Sequence, residues 1–154
     1  MPIIGELSPE LRIEPASEAD RALLFAPFKA ALQSHVDWAW GWDEDKERRN
    51  FFERLPLNGL FKLIHRGQCV GGFCIEETPG PSQHLRTLFI RPESQGLGIG
   101  TLLLAHLIEE AQHQQLPLTL HVIHINPAKG LYERLGFRTV REEEKTCFMR
   151  HDSR

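Results

Sequence analysis

The spacing of apolar residues along this chain changes several times, and each change marks an element. Leu11-Arg12-Ile13-Glu14 alternates and predicts a short strand. Ser17-x-x-Asp20 then resembles a capping box that opens a helix through Leu23 and Leu24, with Pro27 expected to kink or break it. A second helical stretch covers residues 43–55 and ends at Pro56 and Asn58-Gly59. Residues 60–65 and 69–76 read as a hairpin around Arg66-Gly67-Gln68. Pro79-Gly80-Pro81 breaks the chain before the next strand, residues 85–90. Strict alternation there puts Leu88 and Ile90 on one face and Leu85, Thr87 and Phe89 on the other. Both faces are apolar, so this strand is expected at the centre of a sheet.

Ile99, Leu102, Leu103 and Leu107 follow at helical spacing, widened by Leu104 and Ile108, in a helix ending near Gln115. Leu118, Leu120 and Val122 alternate as a strand. Asn126 caps a short helix with Pro127 in its first turn, with Ala128, Leu131, Tyr132 and Leu135 inward and Gly136 as its stop. A last strand region covers 137–140 and 146–149. The succession predicts a single-domain α/β fold over residues 1–154, a mixed sheet with helices on both faces.

Composition narrows the function. A chain of 154 residues fits one domain, and 41% hydrophobic with 25% charged residues is ordinary for a globular protein. Eighteen basic residues against 21 acidic ones give a net charge of −3, so the electrostatic footprint of nucleic-acid binding is missing. Cys69, Cys74 and Cys147 are odd in number and form no C-x-x-C pair, which argues against a disulfide scaffold or a metal site. The N-terminal residues have no basic segment leading into an apolar one, and the apolar run 102–108 is interrupted by His106. A soluble cytoplasmic protein without membrane or nucleic-acid partners is the expectation.

The candidate chemistry sits between the central strand and the long helix, in Gln95-Gly96-Leu97-Gly98-Ile99-Gly100-Thr101. Three glycines alternate where a strand turns into a helix. Glycine allows positive φ and close approach to the main chain, and the first N–H groups of a helix are free donors at the positive end of its dipole. Such a turn suits a pyrophosphate. It is not a P-loop, because Gly100-Thr101 has no preceding Lys, and it is not G-x-G-x-x-G, because the third position falls on Thr101.

Gln95, Gly98 and Gly100 match the Q/R-x-x-G-x-G/A signature of the GCN5-related N-acetyltransferases (GNAT), which the chain resembles. Leu88-Phe89-Ile90-Arg91-Pro92 is similar to that family's fourth strand and its exit. Leu131-Tyr132-Glu133-Arg134-Leu135-Gly136-Phe137 is similar to its Tyr-bearing helix. The specific motifs cover residues 85–137 and the element order nearly the whole chain. The resemblance implies the acyl-CoA N-acyltransferase fold, with a mostly antiparallel sheet of six to seven strands. It also implies acetyl-CoA as cosubstrate, its pyrophosphate on the amides of residues 95–101 and its pantetheine arm along Leu88, Phe89 and Ile90. The family's fourth and fifth strands splay apart there, and an N–H near Leu88 would polarise the thioester carbonyl. Tyr132, the single tyrosine, would donate a proton to the departing sulfur; a core aromatic is the plain alternative. Asn126 and Lys129 would approach the coenzyme, although capping and solvation also account for them.

The acceptor side is read from the residues beside that frame. An alkylamine must lose a proton before attack. No carboxylate occupies His84, Arg86, Leu88 or Ile90, so Glu76 is the first candidate base, followed by Glu77, His121 and His124. Trp38, Trp40 and Trp42 cluster beside four carboxylates, and Trp42 and Glu44 are the preferred contacts for a small-molecule or peptide amine. Packing of the helix pair is the alternative there. A non-catalytic CoA-binding sensor or interaction domain of the same fold is the second functional reading. The edge strands leave a homodimer open.

Overall fold

The structure, a computed structural model, describes residues 3–152. Met1 and Pro2, where the reading of the N-terminal stretch begins, lie outside the described residues, as do Ser153 and Arg154. The strands are β1 (Gly5–Ser8), β2 (Leu11–Pro15), β3 (Leu60–His65), β4 (Gln68–Thr78), β5 (Ser82–Ile90), β6 (Leu118–Ile123), β7 (Arg138–Glu142) and β8 (Thr146–His151). The helices are α1 (Asp20–Trp40), α2 (Glu44–Arg49), α3 (Ile99–Gln114) and α4 (Ala128–Arg134). The strands form one sheet in the order β1-β2-β3-β4-β5-β6-β8-β7, antiparallel except for β5 with β6. Eight strands thus stand where six to seven were expected. Gly5–Ser8 lacks a clear alternation of its own and becomes a strand by pairing with β2.

The sheet separates two cores. Leu85, Leu103, Leu107, Leu118, Leu120, Val122 and Met149 pack with α3 and α4 on one face. Leu24, Phe25, Phe51, Leu60, Cys74 and Phe89 pack with α1 and α2 on the other. This pattern corrects the alternation assumed for β5. Cys74 pairs with Thr87 but Ile75 pairs with Leu85, so Arg86 is an extra residue opposite no partner. That bulge shifts the phase of the strand. Leu85 therefore enters the α3–α4 core and Phe89 the α1–α2 core, instead of sharing a face.

Pro27 does not break α1, which runs unbroken over 21 residues. The missing N–H and ring clash cost about 3 kcal/mol in a helix interior. Against this, Leu24 and Phe25 are buried, and Phe28 meets Phe89 edge-on at 5.5 Å. Each such apolar side chain contributes about 1.5–3 kcal/mol when buried, so packing outweighs the local cost. After Asp43 caps α2 by accepting from the Lys46 N–H, a π-turn over Asn50–Arg54 carries Phe51 inward. Buried Arg21 donates to the carbonyls of Phe51 and Leu55, both at 2.9 Å, and so satisfies the end of this segment.

Candidate functional site

The site begins where two strands part. β5 and β6 pair in parallel only at Gln83–Leu118, His84–Thr119 and Leu85–Leu120. Beyond these pairs β5 continues to Ile90 beside β4 alone, and its other edge faces a gap. A cleft of about 470 Å³ fills that gap. Leu88, Phe89 and Ile90 lie on one wall, Asn126, Leu131 and Tyr132 on another, and the glycine loop at one end.

Local chemistry shapes the loop. Gly96 and Gly98 adopt φ of +77° and +84°, so the turn from β5 into α3 needs residues without a side-chain penalty there. Gly100 differs: it is already helical, and a Cβ on it would make ordinary contact with Leu131 at 3.5 Å. The helix has no side-chain cap, and its first backbone bond runs from Leu102 N–H to Gly98 O. The N–H groups of Ile99, Gly100 and Thr101 find no backbone acceptor among the described residues. They open on the cleft together with Gln95, Gly96 and Gly98. The Gln95 side chain donates to Ile90 O at 2.8 Å and ties the loop to the strand end. Arg91 folds back onto Ser94 and Gln68.

Tyr132 is 6% exposed, packs edge-on against Phe137, and lines the cleft. Burial pushes its phenol up to about 12, so it remains protonated over the physiological range. Asn126 accepts from the Ala128 N–H at 2.9 Å and starts α4 while facing the same space. Three groups offered by sequence for this region stay out of the lining. Leu97 is 58% exposed, Lys129 lies on α4 outside the cleft, and Glu76 of β4 pairs with His84 of β5 and makes an ion pair to Arg86 at 3.6 Å. Trp42 and Glu44 also lie elsewhere. The Trp42 indole N–H donates to Glu44 at 2.8 Å, and Lys29 and Arg48 flank the same carboxylate. Those bonds, the indole's first, pull Glu44 down to about 2. Its charge is answered inside the α1–α2 pair, where Trp42 also packs on Phe28.

A family model described as the acetyltransferase (GNAT) family matches residues 23–137. The chain belongs to that family. It is 33% identical over 115 residues to the [ribosomal protein bS18]-alanine N-acetyltransferase of Haemophilus influenzae, over 73% of each chain. It is 35% identical over 68 residues to the human Cysteine-rich protein 2-binding protein, of whose length it spans only 8%. Among solved structures, the PaiA N-acetyltransferase of Thermoplasma acidophilum in complex with coenzyme A superposes with a TM-score of 0.74. That match covers 92% of this chain and 98% of the other at 16% identity, a likeness of fold.

Two cleft features of this GNAT chain were missed in the sequence. Ala31, Leu32 and His35 of α1 roof the cleft. His35 continues the inward stripe of Leu24, Phe28 and Leu32, a helical signal that could have placed it. Its Nδ1 is buried with no hydrogen-bond partner, and burial pushes its pKa down. Arg134, on α4, is the cation that lines the cleft. On the α1–α2 face of the sheet, His84 and His121 approach edge-on at 5.6 Å, with Phe148 4.8 Å from His121. His84 Nδ1 lies 2.8 Å from the Thr119 hydroxyl. Burial lowers the pKa of both histidines. Among the described residues no helix is long and apolar enough to cross a membrane.

Proposed function

We propose that this chain moves the acetyl group of acetyl-CoA to a primary amine by direct attack within a ternary complex. One juxtaposition carries the reading: the free N–H groups of the α3 start, the open edge of β5 and Tyr132 share a single cleft. The amides of residues 95–101 hold the pyrophosphate, aided by the helix dipole and by Arg134. The β5 edge beyond its split from β6, along Leu88, Phe89 and Ile90, offers main-chain groups to the pantetheine arm. An N–H near Leu88 stabilises the oxyanion that develops on the thioester carbonyl. Asn126, and Lys129 beyond it, flank the coenzyme on the α4 side.

The amine approaches over the α1–α2 face, whose floor holds Glu76, His84 and His121. Trp42 and Glu44 fix the helix connection that walls this face. The floor takes the ammonium proton; the amine nitrogen then bonds to the acetyl carbon as the carbon–sulfur bond breaks, the sulfur leaves as the CoA thiolate, and the second nitrogen proton passes to solvent to leave the neutral amide. Tyr132 donates a hydrogen bond to the leaving sulfur. A free thiol has a pKa near 8.5, so transfer from a phenol at about 12 is uphill. The hydrogen bond to the departing thiolate, rather than a completed transfer, is thus the work of Tyr132.

The test is titration with acetyl-CoA followed by thiol release over an amine panel that includes a peptide beginning with alanine, the residue in the Haemophilus relative's name. Thiol release that requires one class of amine supports the reading. Binding without release from any amine would favour the non-catalytic domain, and absence of binding would end both.

A further inference from the structure

Away from the cleft, three side chains bring lone pairs into one small space on the β6–β8–β7 edge. His124 Nδ1 lies 3.4 Å from Cys147 Sγ, and Cys147 Sγ lies 3.7 Å from a Glu142 carboxylate oxygen. The three ligand atoms lie within 4.8 Å of one another. The imidazole's tautomer follows from its other nitrogen. Nε2 lies 2.8 Å from the Glu143 carbonyl, which can only accept, so Nε2 carries the proton. In the neutral ring Nδ1 is then a bare lone pair aimed at the sulfur. One thiol proton is left to serve two acceptors, the imidazole and the carboxylate.

We infer that His124 Nδ1, Cys147 Sγ and Glu142 Oε1 form a zinc site, with water in the fourth position. The two edges that meet at sulfur agree. Bonds of about 2.3 Å to sulfur and 2.05 Å to nitrogen at a tetrahedral angle separate the two atoms by about 3.6 Å. Thiolate, imidazole and carboxylate together select zinc over magnesium or calcium. The hydrogen bond from Nε2–H to a backbone carbonyl is the outer contact that zinc-bound histidines keep. Cys147 is buried while Glu142 is exposed, so the carboxylate side of the site is open to solvent. Binding forms Zn–S, Zn–N and Zn–O bonds and breaks the S–H bond, releasing one proton to solvent. The ion clasps β8 and the end of β7 to the segment between β6 and Asn126.

Cobalt(II) and zinc titrations of the full chain test it. One equivalent of cobalt should give a thiolate-to-metal charge-transfer band that zinc displaces, and zinc should release one proton and raise Tm. Cys69→Ser should keep the band and Cys147→Ser should lose it. Because Cys147 is buried, Glu142→Gln and His124→Asn provide gentler variants, each expected to weaken zinc at least about tenfold. No band in the wild type, a band that survives Cys147→Ser, or wild-type affinity in both gentler variants would overturn the site.

Discussion

Leu85 and Phe89 stand four residues apart on β5 and fill opposite cores. Arg86, unopposed in the register with β4, changes the phase between them. The pairing of β5 with β6 also stops at Leu85, so the bulge and the split coincide. The strand therefore leaves its neighbour with Leu88 and Ile90 toward α3 and α4, and with Phe89 anchored under α1. An open strand edge at the cleft is the result.

Tyr132→Phe should lower kcat at least about tenfold while changing coenzyme affinity less than twofold, the split expected of a group acting on the leaving atom. The ring stays buried in either variant, so Tm should hold. Steady-state thiol release with coenzyme titration checks this; an unchanged kcat would remove Tyr132 from the chemistry.

The loop glycines should separate. Gly98 has φ of +84° with open space where a Cβ would stand, so Gly98→Ala suffers only the backbone penalty of about 1–2 kcal/mol. Gly100 is helical, and Gly100→Ala should gain about 0.5–1 kcal/mol. Both should weaken acetyl-CoA, because a methyl group there stands among the amides proposed to hold the pyrophosphate. Denaturant melts beside coenzyme titrations distinguish the two effects.

Stability should fall with acid through the histidines. Burial holds His35, His84 and His121 below the ordinary imidazole value, and His84 and His121 further oppose each other's charge. The unfolded chain thus binds protons first as pH drops below about 6.5. The histidine contribution is whole above that value and is lost as pH falls through the lowered folded-state values. Denaturation at pH 7.5 and 5.5 should show a smaller loss in His84→Asn/His121→Asn than in wild type; an equal loss would contradict the assignment.

Arg21→Met should destabilise the α1–α2 side by about 2–4 kcal/mol, since it leaves the Phe51 and Leu55 carbonyls without their buried donor. Arg21→Lys should recover only part, because a single ammonium nitrogen cannot serve the two carbonyls, which Nη1 holds, and also keep the bond that Nε makes to Glu18. Equilibrium unfolding measures each step.

Much of the molecule was legible beforehand because its signals are local. Gly98 announces a left-handed turn, Asn126 before Pro127 announces a helix start, and Leu118, Leu120 and Val122 announce a buried strand face. Each depends on neighbours within a few residues. The glycine loop and the Tyr132 helix were therefore readable, and the structure brings both to one cleft. Glu76, Trp42 and Glu44 were chosen by residue type and proximity in sequence, and neither criterion says which partner a side chain meets. Glu76 meets Arg86, and Trp42 meets Glu44.

The sequence by itself determined the order of elements, the glycine turn and the short helix that carries Tyr132, since φ preference, capping and periodicity belong to short stretches of chain. Tertiary structure alone decided that Gly5–Ser8 is a strand, that α1 runs through Pro27 and that Arg86 bulges. Those outcomes depend on which strand pairs with which and on how much apolar surface that pairing buries. Such energies are shared between residues far apart in sequence, and no local pattern carries them.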